Sequence, residues 1–97
     1  MITHIVLMKF KPETSIAQQR EAVARLEAMV GRVPSVRELE VGLHGAPRSA
    51  RAADLGLIVR LADWDALAAY ADDPIHVEVK QFLADLVENS TVVDFAS

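Results

Sequence analysis

Three side chains that can transfer protons lie in otherwise apolar stretches of the second half of the chain. Tyr70 and His76 belong to the segment Tyr-Ala-Asp-Asp-Pro-Ile-His, and Asp94 follows His76 by 18 residues in the sequence Val-Val-Asp-Phe. A polar group inside a packed interior costs on the order of a few kcal/mol unless it finds a partner. These three residues therefore either satisfy one another or carry out chemistry.

The chemistry that suits this set is proton abstraction beside a carbonyl group. His76 is predicted to start a helix, where the positive end of the helix dipole keeps an imidazole neutral. Asp94 is predicted to accept a hydrogen bond from one nitrogen of His76, which opposes that effect but fixes the ring and leaves the other nitrogen as a base. Tyr70 is a neutral donor for an oxygen that gains charge. Each residue also has a structural use, in the core or at the solvated surface, and this alternative stays open.

A helix break between Tyr70 and His76 must position the two side chains. Six positions on one uninterrupted helix would leave them about 120° apart. Asp73-Pro74 interrupts that helix, with Asp73 as the N-cap and Pro74 as the first residue of a second helix. Two helices at an angle can direct both side chains into one pocket.

The hydrophobic pattern predicts the remaining elements. Strands are expected over residues 2–10, 36–43, 55–61 and 91–95, and helices over 15–31, over 63–71 and from Asp73 onward. The expected buried stripe of the first helix is Ile16, Val23, Leu26 and Val30. Residues 44–54 are expected to form a mobile loop, and Trp64 to be a packing anchor. This order predicts one α+β domain over residues 1–97, a ferredoxin-like βαββαβ unit with a broken second helix and a four-stranded antiparallel sheet.

The first strand is apolar on both faces, so both faces should be covered. Helices can cover only one of them. The other face would expose a large apolar patch, which is rarely left in water, and its members would be Ile5, Leu7, Ile58, Val93 and Phe95. Two such sheets packed face to face would hide both patches, which predicts a homodimer with the architecture of a dimeric α+β barrel.

Composition excludes several classes of protein. With a net charge of −4, the chain has no basic patch for nucleic acid, and no apolar run approaches the roughly 20 residues of a membrane helix. The absence of cysteine excludes disulfides and suits the cytoplasm. The N-terminus lacks the features of a signal peptide. Metal-ligand spacing, a phosphate-binding glycine loop and a serine or cysteine nucleophile motif are also missing, so neither a metal nor a cofactor is expected.

Five segments, in order along the whole chain, resemble the stress-responsive A/B barrel domain family (Dabb). They are His4-Ile-Val-Leu-Met-Lys-Phe-Lys11, Val36-Arg-Glu-Leu-Glu-Val-Gly42, Asp65-Ala-Leu-Ala-Ala-Tyr70, Asp73-Pro-Ile-His-Val77 and Val92-Val-Asp-Phe95. The first and fourth segments are the most specific. The resemblance implies a dimeric α+β barrel.

The resemblance also implies a set of site residues. A few plant members of the family are polyketide cyclases, which close a linear β-polyketide by an intramolecular aldol reaction. Their histidine base, assisting tyrosine and orienting aspartate match His76, Tyr70 and Asp94, and their first-strand histidine matches His4. Val6 and Met8, on the same side of that strand as His4, complete the expected binding surface for a small hydrophobic polyketone-like ligand.

Two other functions remain open on the sequence alone. One is a non-catalytic, stress-associated structural or binding barrel, in which the same residues serve only assembly. The other is a cofactor-free monooxygenase of the same architecture, which has no dedicated mark in this sequence. A pocket where Tyr70, His76 and Asp94 converge would favour a small-molecule site over the structural alternative.

Overall fold

The computed structural model describes all residues, 1–97, and contains a four-stranded antiparallel sheet with three helices. Along the chain these are β1 (Ile2–Phe10), α1 (Ile16–Glu27), β2 (Glu38–Leu43), β3 (Leu55–Leu61), α2 (Trp64–Asp72), α3 (Pro74–Ala84) and β4 (Val87–Ala96). The strand order is β2-β3-β1-β4. This is the predicted α+β, ferredoxin-like arrangement with a broken second helix. No helix has the length and apolar character needed to cross a membrane.

The fourth strand is longer than its sequence predicts. It begins at Val87 rather than at residue 91, and Val87 pairs with Phe10 beyond a register shift in β1. The added residues Glu88, Asn89 and Ser90 are polar and have little intrinsic preference for a strand. Pairing with the second half of β1 is therefore what makes this segment extended.

The first helix ends earlier than predicted and buries a different set of residues. It ends at Glu27, after which the chain turns through Gly31, whose φ of 80° suits a residue without a side chain. Ile16 and Val30, expected in the buried stripe, are exposed. Val30 lies beyond the helix, so the periodicity that predicted its burial does not apply there. Leu26 is buried as predicted and Val23 is partly buried against the core, and the further buried residues of this region are Ala22, Met29 and Val33.

The helices cover one face of the sheet, and the core lies between them. Alternate residues of β1 and β3 point into this layer, and β2 contributes Leu39, Val41 and Leu43 at its edge. β4 is an edge strand, and its side chains are exposed along almost the whole of its length. The helix layer therefore leaves β4 uncovered and open to solvent.

No element covers the opposite face of the sheet. Leu7, Val93 and Phe95 are 47%, 52% and 43% exposed there, and Ile5 and Ile58 are partly exposed beside them. In the antiparallel register Ile5 lies between Ile58 and Val93, so these side chains form one continuous patch. We call these five residues the outer face.

The segment 44–54, predicted to be a mobile loop, is anchored at its end. Asp54 is buried, accepts the backbone N–H of Phe10 at 2.8 Å and pairs with Arg48. Burial alone would raise the pKa of Asp54, but the Phe10 hydrogen bond and the Arg48 guanidinium outweigh it and lower the pKa. The ion pair therefore ties the loop to the start of β3.

Candidate functional site

The junction of α2 and α3 brings Tyr70 and His76 face to face. Asp73 ends α2 with an extended backbone and caps α3, accepting the Ile75 N–H at 2.9 Å, while Pro74 occupies the first turn. The change of helix direction stacks the two rings, with centroids 4.0 Å apart and planes inclined by 22°. The helix break predicted from Asp73-Pro74 is confirmed, and it directs Tyr70 and His76 into one pocket as predicted.

A backbone hydrogen bond fixes the tautomer of His76. Its Nδ1 lies 2.9 Å from the carbonyl oxygen of Tyr70. A carbonyl oxygen only accepts, so Nδ1 carries the proton and Nε2 of the neutral ring keeps its lone pair. Burial, with a further contribution from Lys80, lowers the pKa of His76 against the opposing effect of its backbone hydrogen bonds. His76 is thus a neutral imidazole with one free basic nitrogen.

Asp94 does not orient His76, contrary to the expectation. It pairs with Nδ1 of His4, which lies directly opposite in the β1–β4 register. The two Cα atoms are cross-strand partners whose side chains point to the same face of the sheet. His76 is on α3 and has already used Nδ1 on the Tyr70 carbonyl. The orienting partner of His76 is therefore a main-chain atom, and the carboxylate serves the other histidine.

Tyr70 lies between the two histidines and has an unsatisfied hydroxyl. Its side chain is 1% exposed, and the hydroxyl oxygen is buried without a hydrogen-bond partner. The His4 ring meets Tyr70 edge-on at 5.6 Å, on one side, and His76 stacks on it at 4.0 Å. Burial raises the pKa of Tyr70 to about 12, so the phenol stays protonated and keeps a donor available.

These residues line one pocket between the helices and the uncovered strand β4. Its volume is about 770 Å³, within the range of small-molecule sites, and its lining is mostly apolar. All six residues predicted as catalytic or substrate-binding belong to its wall, namely His4, Val6, Met8, Tyr70, His76 and Asp94. The rest of the wall is apolar side chains of the core and helices, together with Lys80 on α3 and Glu88, Asn89 and Ser90 on β4.

The wall also contains residues that were not predicted as part of the site, among them Trp64, Lys80 and Val92. Trp64, expected to be a packing anchor, is 54% exposed and borders the pocket, because α2 packs on the core through Ala66, Leu67 and Tyr70 instead. Lys80 lies four positions after His76, a spacing that places both on one side of α3 and could have revealed it. Val92 alternates with Val93 and faces the pocket rather than the outer face.

The arrangement has no features of a metal centre. No group of three or more histidine, cysteine, aspartate or glutamate side chains converges anywhere in the chain. What the pocket holds is a neutral base, a neutral donor and a histidine–carboxylate pair around an apolar space. These groups suit acid–base chemistry on a largely apolar molecule.

Comparisons with solved structures support the fold across the whole chain. A dimeric ferredoxin-like protein of unknown function from Bacteroides fragilis is 25% identical, with a TM-score of 0.85 over 99% of this chain and 95% of that one. One from Thermobifida fusca is 22% identical, with a TM-score of 0.88 over 99% and 90%. A hydroxynitrile lyase from Passiflora edulis is 16% identical, with a TM-score of 0.85 over 97% and 90%.

The sequence itself matches one family description over nearly its entire length. The family is described as the stress responsive A/B barrel domain, and the match covers residues 2–97. A comparison with curated protein sequences gave no significant match. The family match and the order of the elements agree with the resemblance drawn from the five segments, whereas the pairing of Asp94 with His4 departs from the role that the resemblance implied for Asp94. The chain belongs to the stress-responsive A/B barrel domain family.

Proposed function

We propose that this protein is a homodimeric acid–base enzyme that closes linear β-polyketones by an intramolecular aldol reaction, with His76 as the base. One observation carries the proposal. Inside a pocket of about 770 Å³, the Nδ1–H of His76 is held by the Tyr70 carbonyl, which leaves Nε2 as a free basic nitrogen. A histidine with a merely structural role has no need of a fixed tautomer, a lowered pKa and a pocket together.

The first step is removal of a proton from a carbon between two carbonyl groups. Nε2 of His76 takes that proton, the C–H bond breaks, and the electron pair forms an enolate. The enolate carbon then adds to a distant carbonyl of the same molecule, forming the ring C–C bond and an alkoxide. No oxidant or reductant is needed, because the addition only rearranges the bonds of the substrate.

Tyr70 supplies the hydrogen bond that the enolate oxygen requires. Its hydroxyl is buried, neutral and without a partner in the protein. A substrate oxygen that reaches it satisfies a donor that otherwise costs about 1–3 kcal/mol of desolvation. That interaction strengthens as negative charge develops on the oxygen, so it favours the transition state over the bound ketone.

The homodimer is proposed from the outer face. Its exposed members Leu7, Val93 and Phe95 form an apolar patch on a sheet with no covering layer. Packing two such faces together removes both patches from water. The relatives from Bacteroides fragilis and Thermobifida fusca are described as dimeric with the same fold, which supports this assembly.

The test is a screen of linear β-polyketones, such as 2,4,6,8-nonanetetraone, in which a carbon between two carbonyls can close a six-membered ring on a distant carbonyl, with ring formation followed by mass spectrometry and NMR. The parent protein is expected to accelerate cyclisation of at least one compound. His76→Ala should lower the rate by about 10²-fold or more, and Tyr70→Phe should also lower it strongly, because each removes a positioned group. His44→Ala, in an exposed loop, is the matched control and should turn over like the parent.

Two results would contradict the proposal. If His76→Ala cyclises the substrate as fast as the parent, the assigned base is wrong. If no polyketone is turned over and His76→Ala only lowers the melting temperature, the non-catalytic barrel is the better description of the protein.

A further inference from the structure

The pocket contains a second histidine whose surroundings differ from those of His76. His4 and His76 flank the same tyrosine, His4 at its edge and His76 on its face. Nδ1 of His4 is bound to a carboxylate, whereas Nδ1 of His76 is bound to a neutral carbonyl. One imidazole therefore has a counter-charge and the other has none.

The groups around His4 come from every element that packs on it. β4 contributes Asp94 and, six residues earlier, Glu88, α2 contributes Tyr70, and α3 contributes His76 and Lys80, and all of these line the pocket. β3 contributes the uncharged Val59, its cross-strand partner. Asp94 is thus the carboxylate that faces the His4 ring, and the pair is shielded, with the His4 and Asp94 side chains 13% and 32% exposed.

The structure assigns to His4 the role of general acid in this pocket, with Asp94 as the residue that positions its ring and supplies its counter-charge. This inference rests on the proposed aldol function and divides its proton transfers between two histidines. Paired groups whose environments favour opposite protonation states are how one site performs acid and base chemistry at one pH. His76 is desolvated and lacks an anionic partner, so it takes the proton; His4 holds one against Asp94.

The acid step completes the reaction that His76 begins. The aldol addition produces an alkoxide, and the His4 imidazolium gives its Nε2 proton to that oxygen. The N–H bond breaks, the O–H bond forms, and His4 becomes a neutral imidazole. At that point His76 carries the proton taken from carbon, so the enzyme returns to its starting state when His76 releases a proton to water and His4 takes one up.

The first experiment measures the charge of each histidine without any substrate. Long-range ¹H–¹⁵N NMR of the imidazole rings separates the doubly protonated form from the two neutral tautomers. At pH 7 we expect His4 as imidazolium and His76 neutral with its proton on Nδ1. Asp94→Asn keeps an acceptor but removes the charge, so His4 should become neutral while His76 is unchanged.

Glu78→Gln is the control for this measurement. It removes a carboxylate from the exposed side of α3, close in sequence to His76 but outside the pocket, and should alter neither ring. A neutral His4 in the parent at pH 7, or an unchanged His4 in Asp94→Asn, would overturn the assignment.

The second experiment uses a polyketone that the parent cyclises. His4→Gln retains a polar side chain but cannot transfer a proton, and kcat/KM should fall about 10²-fold with the protein still folded. In Asp94→Asn the alkaline limb of the pH–rate profile should move to lower pH, because the counter-charge of the acid is gone. A loss of packing alone would lower the melting temperature without moving that limb.

The two proposals fail in different ways. If the parent cyclises the polyketone and His4→Gln is equally fast, the acid is not His4 and the base assignment stands. If the parent cyclises none of the compounds, the aldol function is wrong and the acid role falls with it, whatever the NMR charge states.

Discussion

The two histidines of the pocket have the same side chain but opposite electrostatic surroundings. Burial and the neighbouring Lys80 lower the pKa of His76 and outweigh the opposing effect of its hydrogen bond to the Tyr70 carbonyl. His4 faces the Asp94 carboxylate. Their positions in the fold produce this difference, since one lies at the start of a helix and the other lies opposite an aspartate on a neighbouring strand. At the residue scale, the protonation state proposed for each histidine depends on the groups that contact its ring more than on the residue type.

The lowered pKa of His76 predicts a pH dependence of stability. Because the folded protein binds the proton less tightly than the unfolded chain, the contribution of His76 is fully present above the unfolded pKa of about 6.5 and is lost as the pH falls through the lower, folded value. His76→Gln should therefore lose less stability than the parent between pH 7.5 and 5.5 in urea unfolding.

The exposed His44 provides the comparison for that measurement. His44→Gln should retain the pH dependence of the parent, since its ring lies in a solvated loop outside the pocket. Equal pH dependence in the parent and His76→Gln would show that the environment of His76 does not penalise its charged form.

At the scale of elements, the junction between α2 and α3 is what builds the site. Asp73 ends one helix and caps the next, and its position sets the stacking of Tyr70 on His76. The uncovered strand β4 forms the opposite wall, because no helix lies over its pocket-facing residues. The site therefore occupies a gap in the helix layer rather than a loop at the edge of the molecule.

Two helix caps allow the junction to be tested separately from helix stability. Asp73→Ala and Asp63→Ala each remove a side-chain acceptor, for the Ile75 and Ala66 N–H groups at 2.9 and 2.8 Å, and each should cost about 0.5–2 kcal/mol. Of these two capping residues, only Asp73 lies between Tyr70 and His76. Asp73→Ala should therefore also lower cyclisation of the polyketone and shift the His76 imidazole resonances, while Asp63→Ala should do neither. Equal effects on the site would mean that the cap does not set its geometry.

At the scale of the whole molecule, the outer face is an apolar surface larger than one chain can cover. Its centre is Ile5, flanked by Ile58 and Val93 in the sheet register. The helices lie on the other side and leave this surface in water, and a second copy of the chain would cover it in the proposed dimer. The pocket and the outer face lie on opposite sides of the sheet, which lets assembly and chemistry be changed independently.

Sedimentation equilibrium tests the assembly. The parent should show about twice the chain mass of 10.6 kDa at micromolar concentration. Leu7→Glu places a charge in the proposed interface, so the variant should dissociate or unfold. Ile16→Glu alters a residue that is also exposed, but on α1 at the helix side, and should remain dimeric. A stably folded parent monomer would contradict the proposed dimer.

The sequence by itself determined the order of the elements, the helix break and the two faces of β1. The apolar runs of β1 and β3 and the cap followed by proline at Asp73-Pro74 are local signals, and local signals define local structure. The period of each strand or helix sets the direction of its side chains. The predicted site residues could therefore be assigned to one side of their elements from the sequence, and they line one pocket.

Tertiary structure decided the partners of those side chains. Asp94 pairs with His4 because the β1–β4 register places them opposite each other, and the sequence of β4 alone does not define that register. His76 is hydrogen-bonded to the Tyr70 carbonyl, which the helix break leaves free to accept. The polar start of β4 became a strand only through pairing with β1, and Trp64 borders the pocket because α2 packs on the core through Ala66, Leu67 and Tyr70. Contacts between segments distant in sequence depend on the packing of the entire chain, and these contacts determine which histidine has a counter-charge.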